Sequence, residues 1–274
     1  MTTWYAAPRD FVMVHGPDAA TYLQSQLSQE MRDLAVGQAR WTFLLQPAGR
    51  VDVLARVLRS GEHAFVLDTD EGYGDVLLAR LQRFKIRVKA DVEPIAWVCT
   101  SLPLVASAIV EGAVAVPSWW GRGIDLLGPA HVRPAQLASH DHTVHERLRV
   151  EAGWPAMGHE IVPGETIPGE LPMLPVAVSF TKGCYPGQEL VERMDSRAAT
   201  APRLVRRVVL PYDVADVRGA ALRVDGEPVG TVTTSAGDLA LASVRRTLEP
   251  PVDAFLAASG GDVAVRLEAI TAPA

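Results

Sequence analysis

Lys182-Gly183-Cys184-Tyr185-Pro186-Gly187-Gln188-Glu189, followed by Arg193, is the stretch on which the reading of this chain turns. It gathers a thiol, two cations, carboxylates, an amide and a phenol into one short segment, and its two glycines permit a tight backbone path. A core strand or a solvated helix has little use for that mixture. A site that binds a polar planar ligand, or that does thiol chemistry, would use all of it. Apolar segments flank it: Pro175-Val176-Ala177-Val178 before, Leu190-Val191 after. The pattern predicts a polar loop that enters from a strand and leads into a helix beginning near Gly187. Backbone N–H groups at a helix start favour an anion, and a cysteine at such a terminus between cations is a setting for thiolate chemistry. The alternative is a turn with a buried structural cysteine and solvated charges.

Working outward, residues 10 to about 105 alternate strand and helix patterns. Phe11–Val14, Trp41–Leu45, Val51–Leu58, Ala64–Leu67 and Ile95–Cys99 read as strands. Gly16-Pro17-Asp18 opens a helix carrying Ala20, Leu23 and Leu27 on one face. Tyr73, Val76, Leu77, Leu81 and Phe84 mark a second amphipathic helix. This order predicts helices packed on one face of an antiparallel sheet, an α+β arrangement. From 106 to 200 the pattern loosens: strands at Val114–Val116 and Ile124–Leu127, a helix over Val144–Ala152, then a Pro/Gly-rich connection from Pro155 to Pro175. A long connection that leads into the motif is read as functional. From 201 onward short β-rich runs at 204–210, 221–224, 229–234, 239–244 and 263–267, with Asp225-Gly226 and Gly237-Asp238 at turns, predict a small barrel or sandwich.

The chain has 274 residues, 48% of them hydrophobic, enough for a sizeable core in one to three domains. A net charge of −6 argues against a dedicated nucleic-acid binder. Two cysteines, Cys99 and Cys184, with no CxxC pair, argue against a zinc site or an iron–sulfur cluster held by this chain alone. The N-terminus lacks a basic region followed by an apolar run, and Pro103 interrupts the longest uncharged stretch, which falls short of the ~20 residues of a spanning helix. These features lead to the expectation of a soluble, cytoplasmic protein that contacts no membrane.

Three further groups merit weighing. Glu151, at the end of the helix with Arg149, and Glu170, in Ile167-Pro168-Gly169-Glu170, could together grip the amino and ring N–H groups of a pterin or purine, or form surface ion pairs. His140, His142 and His145 read as a solvated helix start rather than a metal site, since no HExxH pattern is present. Trp119-Trp120-Gly121-Arg122-Gly123 reads as a turn with core tryptophans.

The motif closely resembles the signature of the YgfZ family, folate-binding proteins related to the aminomethyltransferase of the glycine cleavage system: K-G-C-[YF]-x-G-Q-E-x-x-x-R, matched at every fixed position from Lys182 to Arg193. Gly16-Pro17-Asp18-Ala19-Ala20-Thr21-Tyr22-Leu23-Gln24, Arg149-Val150-Glu151-Ala152-Gly153 and Pro168-Gly169-Glu170 are similar to further family segments. The resemblance implies three modules in a ring around an opening that takes tetrahydrofolate: an N-terminal α+β module over 1–105, a second over 106–200 carrying the motif, and a C-terminal β-barrel over 201–274. It implies a role in assembling or repairing iron–sulfur clusters in client proteins, met transiently. It implies that Cys184 is the functional thiol, that Lys182, Tyr185, Gln188, Glu189 and Arg193 shape the site, and that Glu151, Glu170 and Asp52 are candidates for the folate. Two departures stand out. The transferases carry paired aspartates after a glycine-rich turn, and here the match is Asp52-Val53, so the second carboxylate is missing, which argues against a working aminomethyltransferase. After Arg193, relatives carry a glycine where this chain has Arg197-Ala198-Ala199. The alternatives to a cluster-assembly role are a folate-dependent one-carbon transferase and a non-catalytic folate-binding scaffold.

Overall fold

The structure is a computed structural model, and it describes all residues except 1–2, 120–121, 135–136, 197–199, 212–213, 215–216, 259–260 and 272–274. Arg197-Ala198-Ala199 and the Trp120-Gly121 step lie outside the described residues. The first sheet is antiparallel in the order β3-β4-β5-β2-β6, from β2 (Arg9–His15), β3 (Ala39–Leu45), β4 (Val51–Gly61), β5 (Ala64–Asp70) and β6 (Asp91–Pro94). Helices α1 (Ala19–Gln26) and α2 (Gly74–Arg83) cover one face, burying Leu23, Leu77 and Leu81 against Val12, Val53, Val57 and Phe65. The helical spacing of those leucines and the alternation of the strands therefore meet in one core, as the sequence pattern requires.

The second sheet runs β10-β1-β7-β9-β8, from β1 (Thr3–Ala7), β7 (Val98–Pro103), β8 (Val114–Pro117), β9 (Gly123–Gly128) and β10 (Ala138–Ser139). All its pairs are antiparallel except β1 with β10, which is parallel. The first 105 residues thus supply strands to both sheets: β1 and β7 belong with β8 and β9. The run Ile95–Cys99, expected as one strand closing the first unit, is divided. Pro94 ends an edge strand of the first sheet, and Val98 begins a central strand of the second. The exposed Asp91 and Glu93 on β6 suit an edge and hide it from an apolar-pattern search. The two sheets pack together through Phe11, Leu58 and Val66 against Cys99, Val116 and Leu127.

Helix α3 (His142–Ala152) starts at an N-cap where Asp141 accepts from Val144 N–H at 3.0 Å and ends at Gly153, whose φ of 69° closes a left-handed cap. The Pro/Gly-rich connection holds a 3-10 turn (Pro168–Glu170) and the short α4 (Leu174–Ala177). The segment around Pro175, expected as a strand, is this helical turn, with proline at its start where no N–H is required. The motif then leads into α5 (Gln188–Asp195), as expected. The C-terminal residues form a closed six-stranded barrel in the order β11-β14-β13-β12-β15-β16. Its strands are β11 (Arg203–Val209), β12 (Ala221–Val224), β13 (Glu227–Ala236), β14 (Leu239–Arg245), β15 (Val252–Ala258) and β16 (Gly261–Glu268).

One buried charge network joins the two sheets. Arg56 on β4 is 1% exposed, donates to both oxygens of Asp68 on β5 at 3.0 and 3.2 Å, and donates across to Asp125 on β9 at 2.7 Å and Pro117 O at 3.0 Å. Arg9 donates to Asp68 and, at 2.7 Å, to Asp70. Burial would raise the Asp68 carboxyl, but Arg56 and Arg9 hold it below its ordinary value. The Arg9 and Arg56 guanidinium groups lie 5.4 and 5.1 Å from the Trp41 ring centroid. Replacing Arg56 with Ala strands the buried Asp125 carboxylate and leaves Asp68 with Arg9 alone, and the expected loss is about 3–5 kcal/mol of unfolding free energy, read from urea denaturation; a loss under about 1 kcal/mol would refute the assignment.

Candidate functional site

The motif loop is held from beneath on both sides. The Lys182 ammonium donates to three backbone carbonyls at the end of α1, those of Gln24 (2.7 Å), Leu27 and Gln29 (3.0 Å), and lies 5.2 Å from the Tyr185 ring centroid. Burial lowers its pKa to about 8, with Glu30 acting in the opposite sense. Tyr185 is buried in a core with Trp41, Trp154, Met173 and Leu241, and burial together with Glu192 pushes its phenol up to about 12. Gln188 folds back, its Oε1 accepting from Tyr185 N–H at 3.1 Å. Gly187 has φ of 81°, and a Cβ there would lie 2.4 Å from Gln46 O and 3.0 Å from Gly49 Cα in the β3–β4 turn. This second motif glycine is therefore fixed by close approach as well as by backbone conformation, whereas a Cβ on Gly183 meets open space.

Cys184 sits between these anchors and is exposed, while Cys99 is fully buried. Glu189 and Arg193 form an i,i+4 ion pair on the exposed face of α5. The loop thus turns Lys182, Tyr185 and Gln188 inward and leaves Cys184, Glu189 and Arg193 outward.

Each of the three expected folate carboxylates already has a partner within the protein. Glu151 is half-exposed and reaches Arg122 at 3.4 Å. Glu170 caps its own turn, accepting from Ile167 N–H at 3.3 Å, and burial raises its pKa. Asp52 accepts from Gln46 at 2.7 Å and Arg80 at 3.3 Å. Val53, at the position of the missing aspartate, is fully buried under α1 and α2.

A cavity of about 330 Å³ lies where the two sheets meet α3. Arg9, Asp70, Asp125, His145, Trp119 and Trp154 are among its walls. Three wall side chains carry polar atoms shut from solvent with no hydrogen-bond partner among the described residues: Arg9 Nη2, Asp125 Oδ1 and His145 Nδ1. Such atoms cost about 1–3 kcal/mol each unless a water or ligand pairs them. Trp119 and Trp154 give the cavity aromatic walls suited to a flat ring, while the three unpaired atoms lie behind its surface. A second cavity, lined by His142, Glu146, His159, Arg218 and Thr234, shares α3 with the first and reaches the barrel. Neither is lined by residues of the motif.

Helix α3 is fastened to the barrel by charge. Arg149 donates to Glu160 at 3.0 Å, to Glu146 at 2.9 Å and to Thr234 at 3.1 Å, while Glu160 accepts from Thr233 and Thr234 at 2.6 and 2.7 Å. The expected solvated helix start holds for His142, which is exposed, and fails for His145. His145 is 7% exposed and packs between Tyr5 (4.2 Å between centroids) and Trp119 (4.5 Å), with His140 stacked on Tyr5 at 5.3 Å. Tyr5 lies on β1, a strand too short and too irregular in pattern to be read from sequence, and its arrival is what buries the imidazole. Among the described residues no group of three or more His, Cys, Asp or Glu side chains could hold a metal ion. Nor, among them, is any helix long and apolar enough to cross a membrane.

The fold is that of the glycine-cleavage aminomethyltransferases. The structure of aminomethyltransferase T of the glycine cleavage system from Bartonella henselae superposes with a TM-score of 0.83 at 18% identity, covering 98% of this chain and 85% of that one. By sequence the chain is 31% identical over 270 residues to the mitochondrial iron-sulfur cluster assembly factor IBA57 of Homo sapiens, spanning 85% of this chain and 74% of the relative. The mouse protein of the same name is 29% identical over 280 residues, spanning 89% and 78%. The chain belongs to the family of these factors, the YgfZ branch of the aminomethyltransferase-like proteins. No family model matches it.

Two predictions follow from this geometry. Gly187→Ala, forced into the left-handed region against Gln46 O, is expected to cost about 2 kcal/mol or more in urea denaturation, while Gly183→Ala stays within about 0.5 kcal/mol. The second concerns pH. Burial, with His140, lowers His145 from 6.5 to about 3. Between those values the unfolded chain takes up a proton that the folded chain refuses, so the contribution is complete above pH 6.5 and is lost as pH falls toward 3. Going from pH 7 to pH 5 should cost about 2 kcal/mol through this residue, and His145→Phe, which keeps a ring in the stack, should shrink the pH dependence by that amount.

Proposed function

We propose that this protein assists the assembly or repair of iron–sulfur clusters in client enzymes, binds tetrahydrofolate, and uses Cys184 as its functional thiol. The observation that carries the reading is the division of labour in the motif: inward side chains fasten the loop, and the thiol between them is left exposed. A structural cysteine would be expected inside, as Cys99 is. The cluster-assembly role is supported by the relatives' function as their names state it.

The cavity between the sheets and α3 suits the pterin head better than Glu151, Glu170 and Asp52 do. Those three face other partners, while the cavity sets Trp119 and Trp154 beside the charged side chains of Arg9, Asp70 and Asp125. When bound, tetrahydrofolate supplies nucleophilic ring nitrogens that can carry a one-carbon unit. In this reading the tryptophans stack on the ring and exclude water, and the charged walls formed by Arg9, Asp70 and Asp125 set its orientation. Glu189 and Arg193, exposed on the helix that follows the thiol, are available to an approaching client. The clients are met transiently, and we place the protein in the cytoplasm, where exposed thiols stay reduced. Aminomethyl transfer is the weaker reading, because a valine packed under α1 and α2 stands where the transferases carry their second aspartate.

The test is a pair of measurements on wild type and Cys184→Ala. A cluster-dependent enzyme is assayed in cells lacking the native protein, and tetrahydrofolate is titrated by calorimetry. The expected result is loss of client activity in the variant with folate affinity unchanged within about twofold. Full rescue by Cys184→Ala removes the thiol from the mechanism, and absence of heat on folate addition removes the ligand.

A further inference from the structure

Resting on the reading of Cys184 as the functional thiol, we propose that Lys182 is a positioning residue that fixes the Cys184 loop to the end of α1, and is not a contact for folate. An ammonium group has three N–H donors. All three are engaged by backbone carbonyls, those of Gln24, Leu27 and Gln29, so none is left for a ligand. Gln24 O lies in the last turn of α1, where carbonyls lack an intrahelical partner, and the Leu27 and Gln29 carbonyls follow just after the helix, so a cation there also meets the negative end of the helix dipole.

The contact closes a seam. Ser28 Oγ donates to Ala177 O at 2.7 Å, Ser179 N–H donates to Ser28 O at 3.0 Å, and Gln29 Nε2 donates to Val176 O at 2.9 Å. The chain runs along residues 28–29 from Val176 to Ser179, is pinned again at Lys182, and is buried at Tyr185. Cys184 is thus held on a short span between two fixed points, both set by packing against elements outside its own segment. Arginine cannot replace the lysine, because its planar fork does not match three carbonyls converging on one nitrogen.

The experiment places a nitroxide on Cys184, since Cys99 is fully buried and silent, and compares wild type with Lys182→Met and Lys182→Arg. The spin-label spectrum, amide exchange at Ser179, tetrahydrofolate affinity by calorimetry and overall melting temperature are recorded. The expected result for Lys182→Met is a spectrum several-fold more mobile and Ser179 exchange about tenfold faster or more, with folate affinity within about twofold of wild type and a similar melting temperature. Lys182→Arg should keep the mobile spectrum despite keeping the charge. Should Lys182→Met fail to fold, Lys182→Gln, which retains two amide donors, is measured in its place. An immobile spectrum in the Met or Gln variant overturns the proposal, and a tenfold loss of folate affinity beside it would make Lys182 a ligand contact. Full rescue of clients by Cys184→Ala would instead remove the functional thiol while leaving the spectroscopic result intact.

Discussion

Arg56 is the residue around which the two sheets are arranged. A guanidinium with 1% exposure has no water to hold it, so every donor must find a protein acceptor. Asp68 supplies two oxygens from the same sheet, and Asp125 and Pro117 O supply two more from the other. The pairing therefore fixes the distance and register between sheets in a way that the apolar contacts of Phe11, Leu58 and Val66 with Cys99 and Leu127 cannot, because apolar contact has no direction. Arg9, sharing Asp68 and flanking Trp41, extends the network to the cavity wall. The cavity is thus lined by the outer members of a charge cluster whose inner members hold the modules together.

The motif follows the same logic of fixing by polar saturation. Lys182 spends its donors on α1, Gln188 on its own turn, and Gly187 gives up a side chain so that the β3–β4 turn can approach. What remains outward is Cys184, and on α5 the exposed Glu189–Arg193 ion pair. A solvent-exposed pair such as Glu189–Arg193 adds little to stability, so its place in the motif is better explained by what approaches the thiol than by what holds the helix.

Much of this architecture was legible in the sequence because it rests on period and punctuation. The barrel strands at 204–210, 221–224 and 239–244 and the turns at Asp225-Gly226 and Gly237-Asp238 fall close to their observed places. Strand β15 escaped because Phe255 points outward at 50% exposure, which spoils the alternation. The interleaving of the sheets escaped because β1 is five residues pairing with strands about a hundred residues away, a contact that no local pattern encodes. At the site, the motif's presence was legible but the direction of each side chain was not. The resemblance assigns Lys182 and Gln188 to the site, and in the structure Lys182 donates to three backbone carbonyls while Gln188 accepts from Tyr185 N–H. The unpaired atoms of Arg9, Asp125 and His145 left no local signal, since their lack of partners emerges only when three distant segments close on one cavity.

The cavity and the motif are joined through one apolar core. Trp154 lines the cavity and packs on Trp41 at 4.8 Å between centroids, and both share their core with Tyr185 of the motif. Cys184 lines neither the cavity between the sheets nor the one beside the barrel. A ring held among Arg9, Asp125 and Trp154 would therefore be separated from the sulfur by packed aromatic side chains. Direct bonding between that ring and Cys184 would require the Tyr185 core to come apart, at the cost of opening a well-packed interior. Under the proposed function, a ligand in this cavity would brace the frame that carries the thiol loop, and the partner of the exposed sulfur would come from outside the molecule.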